Sequence, residues 1–154
     1  MKRTNESGRS MVEMLGVLAI IGVLSIGGIA GYTMAMNRYR ANEVIDSVNK
    51  YAVIAYTACR TAMTMRGTDA CAAGTDYPTY ADSGLTPISV LGGGDTVQTI
   101  ADATFEDMTT AGGRNSYTEV DLTFSNEDIC KAAASTAGTV CAAGNTFTYR
   151  VRNS

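Results

Sequence analysis

The chain has 154 residues, a formal net charge of −3, four cysteines and no histidine. The charge removes any general electrostatic case for nucleic acid as a partner, and the missing histidine removes the commonest general base, so an enzyme is not expected. The length suits one small domain plus an anchor, and a domain of that size benefits from covalent staples.

Residues 1–8 read MKRTNESG, a short stretch in which Lys2 and Arg3 outweigh Glu6. An apolar run follows, with Glu13 near its start and no further charge until Arg38. Residues 14–37 would span about 36 Å as a helix, enough to cross a bilayer. A carboxylate in such a segment is costly, and acids there are usually functional and paired. The nearest candidate cation is a free amino group made by cutting the chain after Gly8. Gly22, Gly27, Gly28 and Gly31 offer a place for a bend, since each glycine weakens a helix by roughly 1 kcal/mol relative to alanine.

Beyond the run, Ala41, Val44, Ile45, Val48, Tyr51, Ala52, Ala55, Cys59, Ala62 and Met63 recur at three- and four-residue spacing. That marks one buried helix face, with Asn42, Glu43, Asp46, Asn49 and Lys50 on the other side. No proline interrupts residues 9–65. The pattern predicts one long helix from about Ser10 to Met65, apolar all round in its first half and half-buried in its second. Arg38, Arg40, Lys50, Arg60 and Arg66 read as positive-inside anchoring or helix-surface solvation rather than a nucleic-acid groove.

Residues 67–116 carry turn signals at Gly67, Gly74, Pro78, Gly84, Pro87 and Gly92-Gly93-Gly94. Leu85 to Leu91 and Val97 to Ile100 suit short elements of either type. The glycine triplet lacks the Lys-Ser/Thr of a phosphate-binding loop, so such a loop is not expected there. Asp95, Asp102, Glu106 and Asp107 do not match an EF-hand spacing and read as a solvated face. Residues 117–124 alternate, with Val120, Leu122 and Phe124 on one face, and predict a half-buried strand. Ser125 suits the cap of a short helix that turns Ile129, Cys130 and Ala133 inward. Residues 145–152 alternate again, with Phe147, Tyr149 and Val151 inward and Arg150 and Arg152 outward.

Cys59, Cys71, Cys130 and Cys141 point to an oxidising compartment. Three pairings are open, and the local ones, Cys59–Cys71 and Cys130–Cys141, are the simplest. Each would close a loop of about a dozen residues, worth roughly 3 kcal/mol in the chain-entropy model. Zinc is the rival, disfavoured because the chain has no Cys-x-x-Cys and no histidine; neither metal nor cofactor is expected.

The basic leader ending at Gly8, four intervening residues, Glu13 and the long apolar helix together resemble the class III signal of type IV pilins. The resemblance covers about residues 1–40. It implies cleavage after Gly8 by a prepilin peptidase, N-methylation of Arg9, and pairing of Glu13 with the amino terminus of a neighbouring subunit. Two departures stand out: the first mature residue would be Arg9 rather than an apolar one, and the proline that often interrupts the family's helix is absent. The order of strand, short helix with Cys130, Gly/Ala loop with Cys141 and final strand looks like the end of a type IVb pilin head. The Cys130–Cys141 pair resembles the disulfide that closes that region in many pilins.

The expected fold is therefore α+β: a long N-terminal helix packed on a small antiparallel head with a C-terminal disulfide loop. Its parts would be a leader at 1–8, a transmembrane or filament-core helix at 9–37 and a head at 38–154. The implied role is a structural subunit, held in the bacterial inner membrane and then polymerised with copies of itself into an extracellular pilus. A minor pilin or a type II secretion pseudopilin is the alternative within the family. Outside it, a secreted or membrane-anchored binding domain would use Gly28-Ile29-Ala30 as a general signal-peptidase site.

Overall fold

The computed structural model describes residues 7–67, 71–106 and 117–153, with side chains described from residue 11 onward except at Glu106. The first six residues of the expected leader and Asp107 lie outside the described residues. The elements in chain order are α1 (Ser7–Arg66), β1 (Val97–Ile100), β2 (Thr104–Glu106), β3 (Tyr117–Phe124), α2 (Glu127–Ala137) and β4 (Thr146–Arg152). The chain divides into two compact parts, Met1–Met36 and Asn37–Ser154.

α1 is 60 residues long and runs unbroken through Gly16, Gly22, Gly27, Gly28 and Gly31. Its alanines, leucines and methionines are strong helix formers, and no proline removes a ladder donor. It stops at Gly67, whose φ of +65° is the left-handed conformation glycine tolerates best. There the Gly67 amide donates to the Met63 carbonyl at 2.8 Å.

From residue 37 onward α1 buries the stripe read from its periodicity. Ala41, Val44, Ile45, Val48, Tyr51, Ala52, Ala55 and Cys59 are all buried, and burial fades to intermediate at Ala62 and Met63. Full burial of an aliphatic or aromatic side chain is worth roughly 1.5–3 kcal/mol, so this stripe is what holds the helix to the head. Of the two asparagines assigned to the outward side, Asn42 is exposed and Asn49 half-buried, and both bond to the head. Asn42 accepts a hydrogen bond from Thr136 of α2 at 3.2 Å, and Asn49 accepts one from the Tyr149 hydroxyl of β4 at 3.0 Å.

The sheet is antiparallel and centred on β3. β1 and β2 follow one another along one edge, β1 opposite residues 122–124 and β2 opposite residues 117–119. Between them the Ala101 amide still donates to the Asp121 carbonyl at 2.9 Å. β4 runs the length of the other edge, from Thr146 opposite Thr123 to Arg152 opposite Tyr117. The period of two in β3 sends Thr118, Val120, Leu122 and Phe124 into the core. Phe147 of β4 stacks on Phe124 with ring centroids 5.7 Å apart. Buried Thr118 satisfies its hydroxyl by donating to Asn153 Oδ1 at 2.9 Å.

α2 starts one residue later than the sequence suggests. The Ser125 amide is engaged with the Thr96 carbonyl at 3.1 Å, so Ser125 still belongs to the sheet margin. Asn126 is the cap, with extended backbone and a side chain that accepts from the Asp128 amide. The helix ends at left-handed Gly138. Ile129, Cys130, Ala133 and Ala134 are buried.

The described middle of the chain adds two short strands, β1 and β2, and a set of turns. Val97–Ile100 is β1. Residues 85–91 are neither helix nor strand; the Pro87 carbonyl accepts from the Val90 and Leu91 amides, each at 3.1 Å. Three tyrosines pin these turns to α1. Tyr51, fully buried, meets Tyr80 edge to face at 5.4 Å and accepts from the Ala103 amide at 3.3 Å. Tyr77 donates to the Ala103 carbonyl at 2.7 Å, and Tyr80 donates to that of Thr86 at 3.0 Å. Burial pushes the Tyr51 hydroxyl up to about 12, against the lowering effect of the Ala103 amide and with the Asp102 carboxylate adding to the rise. Burial raises Tyr77 and Tyr80 too.

Candidate functional site

Residues 11–35 of α1 are exposed at every position. Twelve large apolar side chains between Met11 and Ile29 each leave 53–73% of their surface uncovered. A patch of this extent on a soluble monomer marks an interaction or membrane surface. The helix is long and apolar enough to span a membrane. Its two aliphatic hydroxyls are turned back on the backbone: Ser25 donates to the Ile21 carbonyl at 2.7 Å and Thr33 to the Ala30 carbonyl at 2.9 Å. Tyr32 is exposed.

Glu13 stands in this segment as its only charge. It is exposed, and no ion pair joins it to another described residue. Gly8 and Arg9 lie in the first turns of α1, where the backbone is helical and the Arg9 side chain is outside the described residues. Gly8, Arg9 and Glu13 thus share one helical segment. Comparison of the chain with protein-family models, curated proteins and solved structures finds no match.

The cysteines sit in the head as two local disulfides, Cys59–Cys71 and Cys130–Cys141, with Cα separations of 5.7 and 5.8 Å. All four thiols are consumed. The first bridge folds the chain back onto the end of α1. Arg66 of the last turn pairs there with Asp76, and the same carboxylate accepts from the Ala72 amide at 2.8 Å. Asp76 was not singled out in the sequence, where an acid among turn residues carries no signal of a partner ten positions earlier. The second bridge ties buried Cys130 of α2 to the loop before β4.

Under that loop a shallow groove of about 740 Å³ opens on the outer face of β3 and β4. Its charged groups are already engaged. Asp121 accepts from the Thr148 hydroxyl at 2.5 Å, and Arg150 pairs across the strands with Glu119. That is cross-strand pairing, and it leaves no nucleophile–base pair in the groove. Among the described residues no group of three potential metal ligands forms; of the acids noted in the middle of the chain, Asp107 and the Glu106 side chain lie outside the described residues.

Proposed function

We propose that this chain is a structural subunit of a type IV pilus-like filament. A prepilin peptidase cuts it after Gly8 and methylates Arg9. The subunit waits in the inner membrane through residues 9–37, then joins copies of itself in an extracellular fibre. The observation that carries this reading is the exposed apolar half of α1 with Glu13 as its one charge. An uncovered apolar helix must be buried by lipid or by other helices, and burial of that surface drives bundling once the helix leaves lipid. A carboxylate in the bundle then needs a cation. The amino group of Arg9 in the incoming subunit supplies it, and a wrong axial offset leaves one charge buried and unpaired. The head is stapled twice, which suits a domain held outside the cell. In this reading the chain binds no cofactor and performs no catalysis.

The test is Glu13→Gln. The substitution leaves the cleavage position intact and eases membrane insertion by removing a charge. Sheared filament yield should collapse while the membrane level of processed subunit stays normal. Wild-type filament yield in this variant would remove Glu13 from any role in register.

A further inference from the structure

Arg40 has no acidic neighbour at ion-pair distance among the described residues, and its Nε is buried without an acceptor. An unpaired buried donor on a guanidinium is unusual and costs more than a neutral one. The side chain lies against an equally unusual stretch of backbone. Gly92, Gly93, Gly94 and Asp95 all have positive φ, at +67°, +87°, +81° and +49°. A Cβ on Gly93 would sit 3.5 Å from Arg40 Nε and 3.9 Å from its Cζ, ordinary contact distances, so the guanidinium lies against this turn. The turn is pinned from below by the Thr96 hydroxyl, which hydrogen-bonds the Gly92 and Gly94 carbonyls at 2.8 and 3.2 Å. The amides of Gly94 and Asp95 find no acceptor among the described residues.

We propose that Arg40 and the 92–95 turn form a binding site for a phosphate group. A guanidinium offers planar paired donors that match phosphate, and glycine backbone free of Cβ lets the ligand approach adjacent amides. Two sources supply that chemistry, a phospholipid headgroup and free phosphate. The lipid source rests on the membrane-held reading above. Arg40 comes three residues after the end of the apolar run, beside exposed Arg38 and Tyr39. With the Lys2/Arg3 leader on the cytoplasmic side, both arginines lie on the translocated side, so the positive-inside reading of Arg38 and Arg40 in the sequence no longer applies in this orientation. A headgroup contact gives them a role there. The exposed Asp95 carboxylate at the end of the turn opposes an anion.

The experiment uses the full chain in detergent micelles. Amide resonances are followed by NMR during titration with inorganic phosphate and, separately, short-chain phosphatidylglycerol, at ionic strength matched with chloride. Saturable shifts at Gly93, Gly94 and Asp95 are expected. Shifts with both probes support a site for phosphate from either source, and shifts with lipid alone support the headgroup. Arg40→Gln should weaken binding at least tenfold with the β3 resonances and both disulfides unchanged. Arg38→Gln should weaken it much less, and Asp95→Asn should tighten it. No shift at these amides with either probe overturns the site. So do shifts undiminished in Arg40→Gln, or equally lost in Arg38→Gln, which mark surface charge alone. The phosphate arm needs neither cleavage nor filaments, so its outcome is separate from the fate of the pilin reading.

Discussion

The two halves of α1 share one secondary structure and have opposite surroundings. Residues 11–35 are exposed at every position, whereas residues 41–59 bury a continuous stripe ending at Cys59. Helix formation therefore says nothing about where stability resides. In the second half an apolar stripe with polar flanks meets a sheet made for it. In the first half the apolar surface encircles the helix, and it is left exposed among the described residues.

Truncation separates the halves most sharply. Phe124→Ala removes a buried ring stacked on Phe147 and should cost the head about 3–5 kcal/mol. Leu24→Ala, on the exposed half, should leave head stability unchanged within error. Denaturant unfolding of the full chain in detergent, followed through the head, reads both. An equal loss in the two variants would mean that the halves are not energetically distinct.

Next in size are the staples. Cys59–Cys71 and Cys130–Cys141 close loops with sequence separations of 12 and 11, so removing either pair with serines should cost about 3 kcal/mol by chain entropy. The same unfolding assay checks this. Alkylation of all four cysteines without prior reduction would contradict the framework altogether.

Much of this division was legible in the sequence. The three- and four-residue spacing marked the buried stripe, and the period of two in residues 117–124 and 145–152 marked β3 and β4. The nearest-neighbour cysteine pairs are the ones formed. The Asn126 cap was missed by one residue because Ser125 has an equally good side chain, and the choice shows only in the Asn126 side chain accepting from the Asp128 amide. The middle of the chain was not legible. Its turns are held by hydroxyls of Tyr51, Tyr77 and Tyr80 reaching backbone groups far off in sequence, which no local period encodes. Arg40 was equally opaque: it reads as one more surface cation until Gly93 is found beneath it. For Gly8, Arg9 and Glu13 the sequence alone carries the functional argument, since the partners proposed for them lie on other molecules.

A smaller effect lies in the pH dependence of the head. Tyr51 keeps its proton up to about 12 in the fold and releases it near 10 when unfolded. Its contribution is fully present below pH 10 and is lost as pH rises from 10 towards 12, on the order of 2 kcal/mol. Tyr77 and Tyr80 shift in the same direction and steepen the loss. Unfolding free energy measured across that window should fall, and fall less in Tyr51→Phe. A flat profile in the wild type would mean that Tyr51 is not sealed from water. The smallest expected effect is Asn126→Ala, about 1 kcal/mol from loss of the α2 cap, read as a lowered midpoint of head unfolding.

The most direct test of the whole account is the first residue of the protein taken from cells. N-terminal sequencing with mass determination should find Arg9, carrying a methyl group on its amino nitrogen, and the apolar half of α1 intact behind it. A chain beginning at Gly31 would mean that this half is a signal discarded at export, and a chain still beginning at Met1 would mean that no cut frees the cation proposed for Glu13. Either result contradicts the filament reading.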